Sequence, residues 1–166
     1  MTSFDLELTI LAPRLRRFAH SLARSPADAD DLAQATAERM LQARDQWVPG
    51  TRFDAWAFRI MRNLWIDTVR AGARREKHLA PEEAGHNVGH DPRDQLESRS
   101  ELATLMAALG TLPDEQREVI ALVAIEGLGY REVAKLLDLP IGTVSSRVLR
   151  GRQALMTLLG RDDHGR

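Results

Sequence analysis

Residues 130–152, YREVAKLLDLPIGTVSSRVLRGR, constrain this chain more than any other stretch. Val133, Ala134 and Leu137 stand at helical spacing, so residues 130–137 predict a short helix. The run Asp138-Leu139-Pro140-Ile141-Gly142 ends it. Pro140 has no N–H to donate, and Gly142 accepts backbone angles that other residues avoid. Thr143 then offers an N-cap hydroxyl, and residues 144–159 predict a second helix. Val144, Val148, Leu155 and Leu158 take one side of it, and Ser146, Arg150 and Gln153 take the other. Two short helices about a tight turn, the first bracing the second, have the outline of a helix-turn-helix.

The chemistry of the second helix narrows what its polar side can do. No acid occurs over residues 143–161, whereas Arg147, Arg150, Arg152 and Arg161 are cationic. Arginine, serine and glutamine on one face suit phosphates and base edges in a major groove. The competing reading is an ordinary helical hairpin with a solvated basic face.

Composition excludes several other classes. The 166 residues contain no cysteine, so disulfides, thiolate nucleophiles and cysteine zinc sites are out of reach. No apolar run approaches the roughly 20 residues of a membrane span. In the opening MTSFDLELTILAPRLRR, acids precede the apolar residues and arginines follow them, the wrong order for a signal peptide; a cytoplasmic protein is expected. The net charge of −1 is unevenly spread: +3 over residues 1–75 (12 basic, 9 acidic), −3 over 76–100 (3 and 6) and −1 over 101–166 (8 and 9). A protein that coats nucleic acid unaided would be more basic.

The remaining segments predict helices almost throughout. Residues 5–24 are amphipathic, with Leu8, Leu11, Leu15, Phe18 and Leu22 on one side; Pro13 either kinks the helix or marks its start. Ser25-Pro26 breaks the chain, and a second helix runs from residue 27 to about 47. Its expected core face is Leu32, Ala35, Ala37, Met40 and Leu41, with Asp31, Gln34, Glu38 and Arg39 off that face. Asp28, Asp30 and Asp31 complement the helix dipole, and no histidine accompanies them to suggest acid–base or metal chemistry.

After the Pro49-Gly50 turn, a third helix begins near Phe53, with a break near Asn63 left open. It interleaves Arg52, Arg59, Arg62, Arg70, Arg74 and Arg75 with Phe53, Trp56, Phe58, Trp65, Asn63, Asp67 and Thr68. Cations for phosphates and flat or amide groups for bases are what unpaired DNA requires. Trp56 and Ile60 fit better as core; Asn63 and the arginines do not. Residues 76–97 hold His78, His86 and His90 in an acidic, Pro- and Gly-containing run, which predicts a flexible linker rather than a metal site. Beyond it come helices around Leu102, Leu105, Met106 and Leu109, stopped by Gly110, and around Val119–Ile125, stopped by Gly127 and Gly129. The fold expected is all-α: two small helical domains, residues 1–75 and 98–166, joined by a linker over 76–97, the second carrying the helix-turn-helix.

Two motif sets, PADADDLAQATAERM with FDAWAFRIMRNLWIDTVRAGARR, and LPDEQREVIALVAIEGLGYREVAKLLDLPIGTVSSRVLRGRQAL, resemble the extracytoplasmic-function sigma factors in the right order. The resemblance implies promoter-directed initiation on core RNA polymerase, with no cofactor, no metal and no catalytic residue. It implies that Asp31, Gln34 and Glu38 face the polymerase's coiled-coil clamp. Arg59, Arg62, Asn63, Asp67 and Arg70 match the part that melts the minus-ten element and holds unpaired bases. Ser145, Ser146, Arg147, Leu149 and Arg150 match positions that read the minus-thirty-five element, with Arg152 on phosphate. The linker would thread toward the RNA exit path. An anti-sigma factor is a family partner that no residue here identifies.

Three positions depart from the family pattern: Gly129 where serine is frequent, Ser145 where a basic residue is frequent, and Gly151 where alanine is common. Two alternatives compete with this assignment. One is a sigma-like decoy that only binds an anti-sigma factor, against which Arg147, Arg150 and Arg152 speak. The other is a stand-alone helix-turn-helix regulator, which would bind duplex DNA tightly without polymerase.

Overall fold

A computed structural model describes residues 1–78 and 101–160, and every regular element among them is helical. The linker expected over 76–97 lies outside the described residues, with His86 and His90, except that 76–78 complete a helix.

Helix α1 (Ser3–Leu22) starts from a capping box the sequence reading passed over. Asp5 N donates to Thr2 Oγ1, and Thr2 N donates to the Asp5 carboxylate at 2.9 Å. Pro13 neither kinks the chain out of helix nor starts it. Its ring removes one helical hydrogen bond, but it lies on the exposed side, and Leu11, Leu15, Phe18 and Leu22 are buried on the other.

Helix α2 (Pro26–Gln42) has Ser25 as N-cap, accepting from Asp28 N at 3.1 Å, and Pro26 in its first turn. It is shorter than expected: a 3-10 turn (Arg44–Gln46) follows, and Trp47 then packs against Phe4 and Phe53. Its core face also differs. Ala29, Leu32, Thr36 and Met40 are buried, whereas Ala35 and Leu41 face solvent, Leu41 at 44% exposure. Thr36 holds a core position because its hydroxyl donates to Leu32 O at 2.7 Å, so no unpaired polar group is buried.

Helix α3 (Phe53–His78) is continuous through Asn63. Phe53, Phe58, Met61 and Trp65 are buried, and Phe58 meets Phe18 edge to face at 5.0 Å.

The second domain holds α4 (Glu101–Gly110), α5 (Asp114–Ile120), a π-turn over Ala121–Ile125, α6 (Tyr130–Leu137) and α7 (Ile141–Leu158). The turn between α6 and α7 is tighter than the sequence suggested. Asp138, at φ 55°, rather than Gly142, takes the left-handed position. Leu139 N donates to Ala134 O, and α7 starts at Ile141 directly after Pro140. Thr143 is thus inside the first turn, its N–H donating to Pro140 O, and is not the N-cap.

Gly151 is buried where α7 crosses α5: a Cβ built there would lie 2.7 Å from Ile120 Cγ1. The glycine therefore reflects close approach, and its weaker helix propensity, about 1 kcal/mol against alanine, is the lesser term. Gly151→Ala is expected to be net destabilising by about 1–2 kcal/mol through overpacking, measured by urea denaturation. Greater stability in the variant would show that Ile120 moves aside freely.

Candidate nucleic-acid and polymerase interfaces

Helix α7 builds the first surface. Val144, Val148, Gly151 and Leu155 bury its inner side and fix its rotation. Ser145, Leu149 and Arg152 then form one exposed line at i, i+4 and i+7, with Arg150 exposed beside them. Leu149 stands 58% exposed in this polar strip, an apolar group suited to a thymine methyl. The other two candidates sit differently. Ser146 is partly buried and its hydroxyl donates to Thr143 O at 3.1 Å. Arg147 turns back toward α5, its Nη2 3.6 Å from Glu115 Oε2. Four of the six sequence candidates therefore share one open face.

Helix α3 builds the second surface. Asn63, Asp67 and Arg70 are exposed along one side, with Arg59 one turn earlier. The aromatic rings among them are spoken for: Phe53, Phe58 and Trp65 are core, and Trp56 packs partly buried against Phe4 and Phe53. Stacking platforms from these rings are thus not on this face. Arg62 lies at its flank, partly buried, with Nε donating to Glu118 Oε2 at 3.1 Å.

The third surface is on α2. Asp31, Gln34 and Glu38 are exposed at i, i+3 and i+7, and Gln34 Nε2 donates to Glu38 Oε1 at 3.2 Å. The exposed Ala35 and Leu41 lie in the same sector, giving this acidic strip an apolar component. Asp31 also lines a groove of about 650 Å³ with Leu32, Trp65, Val69 and Arg117.

Sequence reasoning missed a set of charged contacts joining the two domains. Glu126, whose side chain is fully buried, accepts from Arg14 Nε at 3.1 Å and from Arg17 Nε at 3.0 Å. Arg14 also lies 5.2 Å from the centre of the Phe58 ring and pairs with Asp54 at 3.3 Å. Arg52 pairs with Glu132 at 3.1 Å, and Arg59 Nη2 donates to Lys135 O at 3.4 Å. Arg52 hydrogen bonds hold the Asp54 carboxyl below its usual range, although burial opposes this. Burial pushes Glu118 up, with Arg62 opposing.

Arg117 is a further buried cation. It donates to the carbonyls of Leu109, Gly110, Leu112 and Leu22, closing the C-terminal ends of α4 and α1. Burial lowers its pKa, with Asp114 acting oppositely. No periodic signal marks the contacts between the domains, because each partner is far away in sequence.

Among the described residues no three His, Cys, Asp or Glu side chains cluster to hold a metal, and no helix is long and apolar enough to cross a membrane.

Two domains, all-helical among the described residues, the second carrying a helix-turn-helix with an open basic face, fit a DNA-binding protein. Residues 9–75 match Sigma-70 region 2 and residues 102–155 match Sigma-70, region 4. The chain is 39% identical over 163 residues to the ECF RNA polymerase sigma factor SigE of Mycolicibacterium smegmatis, covering 97% of this chain and 63% of that relative. It is 36% identical over 162 residues to EcfG of Rhodopseudomonas palustris, covering 96% and 88%. The sigma factor RpoE of Bartonella quintana, solved in complex with the anti-sigma factor NepR, superposes with a TM-score of 0.81 at 31% identity over 98% of this chain and 99% of that one. This chain belongs to the extracytoplasmic-function RNA polymerase sigma factors, which direct transcription from specific promoters.

Proposed function

We propose that residues 1–75 dock core RNA polymerase and open the minus-ten element, that residues 98–166 read the minus-thirty-five duplex, and that 76–97 join them. The observation that carries this reading is the acid-free face of α7, where Ser145, Leu149, Arg150 and Arg152 stand exposed together. Arg150 fits a bidentate contact to a base edge, Leu149 a methyl, and Arg152 a phosphate. Ser146 and Arg147 complete the assignment at its edge. On α3, Asn63 and Asp67 supply hydrogen bonds to splayed bases, and Arg59, Arg62 and Arg70 meet the backbone. On α2, Asp31, Gln34 and Glu38 meet the polymerase clamp.

This division gives the chain no catalytic role: polymerase performs the chemistry, and the protein works in the cytoplasm where polymerase is. Moderate net charge suits a factor whose DNA affinity is shared with a partner. An anti-sigma factor is a second partner in this reading, as the Bartonella quintana relative was solved with one. The decoy and the stand-alone regulator remain the competing functions. A decoy has no need of an open basic α7 face, and a stand-alone reader has no need of the acidic α2 strip.

Competition binding to core polymerase tests the docking surface. Asp31→Ala is expected to weaken core binding by about 1–2 kcal/mol, roughly 5–30-fold, while leaving the fold intact. Unchanged affinity would remove Asp31 from the docking face.

A further inference from the structure

The three arginines of α7 differ in what surrounds them. Arg150 and Arg152 are exposed and, among the described residues, make no hydrogen bond or ion pair. Arg147 comes three residues after Val144 and one before Val148, at the edge of the side that α7 buries. That edge adjoins α5, against which α7 packs where Gly151 meets Ile120. Two acids of α5 act on Arg147 there. Glu115 Oε2 is 3.6 Å from Arg147 Nη2, and the Arg147 side chain is only 19% exposed, against 73% for Glu115. Glu118, one turn further along α5, is the second. Burial pushes its carboxyl up, and Arg62 and then Arg147 oppose this, so Arg147 lies within electrostatic reach of it. A planar guanidinium drawn toward α5 cannot at the same time lay its fork on a base edge in the groove.

We propose that Glu115 is a specificity-determining residue outside the reading helix: it turns Arg147 away from the minus-thirty-five base edges and leaves the choice of sequence to Ser145, Leu149 and Arg150. This rests on the reading of duplex by α7 proposed above. An arginine free to enter the major groove pairs bidentately with guanine O6 and N7, the commonest specific contact to a base. Released from α5, Arg147 adds a guanine preference at one base pair; held there, it adds none. The hold has the strength of one exposed ion pair, up to about fivefold in an equilibrium. A single substitution therefore releases it, yet it is large enough to alter which base pairs count. Glu115 touches no DNA in this account and acts only through Arg147.

The test uses holoenzyme assembled from core polymerase and the full chain. A promoter from which this holoenzyme starts is randomised across its minus-thirty-five element, and the bound duplexes are sequenced. Glu115→Gln alters only an exposed group in the first turn of α5. It is expected to enrich guanine at one position by about fivefold over wild type. Adding Arg147→Ala to Glu115→Gln is expected to abolish that enrichment. A tighter binding that is equal for all sequences and survives Arg147→Ala would mean that the lost carboxylate acts on phosphates through its charge alone, and would overturn the proposal. Arg150→Ala, run in parallel, separates the two levels of the account. A sequence profile changed by Arg150→Ala but not by Glu115→Gln overturns the role of Glu115 alone, whereas a profile that neither variant changes overturns the reading of duplex by α7 as well.

Discussion

Replacing Arg117 with methionine is expected to cost about 3–5 kcal/mol, the largest single effect in this protein. The side chain is 2% exposed, and its guanidinium donates to four main-chain carbonyls at 2.8–3.0 Å. Methionine fills a similar volume but donates nothing. Leu109 O, Gly110 O and Leu112 O, at the end of α4 and just beyond it, would lose their partner, and Leu22 O at the end of α1 would lose one of the bonds between the domains. A cation near helix C-termini is also favourable in its own right. For a chain of this length, about 2–4 °C per kcal/mol predicts a fall in melting temperature of roughly 6–20 °C. Arg117→Lys keeps the charge but loses the planar fork, so partial retention is expected. A melting temperature within about 2 °C of wild type would mean that water replaces the guanidinium at these carbonyls without loss.

The second large effect is functional. Arg150→Ala is expected to lower initiation at the cognate promoter by about 1–3 kcal/mol, roughly 5–150-fold, with core binding unchanged. Arg150 is exposed and, among the described residues, makes no hydrogen bond or ion pair, whereas Arg147 is held by Glu115. The two arginines are therefore expected to differ: Arg147→Ala should give the smaller promoter defect and a measurable stability change. Equal defects would show that Arg147 leaves Glu115 to reach DNA.

Local chemistry was legible where its cause is local. Ser25-Pro26 gives the start of α2, and the inner stripe Val144, Val148 and Leu155 the face that α7 buries. Errors arose where a tertiary contact decided the outcome. Ala35 and Leu41 are apolar but lie on the outer side of α2, and Thr36 replaced them in the core once its hydroxyl found Leu32 O. Gly142 looked like the turn residue by its type, yet Asp138 closes the turn because α7 begins directly behind Pro140. Phe53 and Phe58 of α3 were open to either role, core or base contact, until Phe4, Phe18 and Trp47 supplied partners for them. Glu126 and Glu118 could not be foreseen, since their arginines lie 109 to 112 and 56 residues away.

The central claim is that this chain brings core polymerase to promoters through α2 and selects them through α7. The most direct test is run-off transcription by purified core polymerase on fragments of the chain's own genome, with wild-type protein, Asp31→Ala and Arg150→Ala. The account predicts transcripts with defined starts that require the chain, weakened by Asp31→Ala in step with lost core binding and by Arg150→Ala without it. Core binding by the wild-type chain with no start on any fragment would contradict the account and leave the sigma-like decoy in its place.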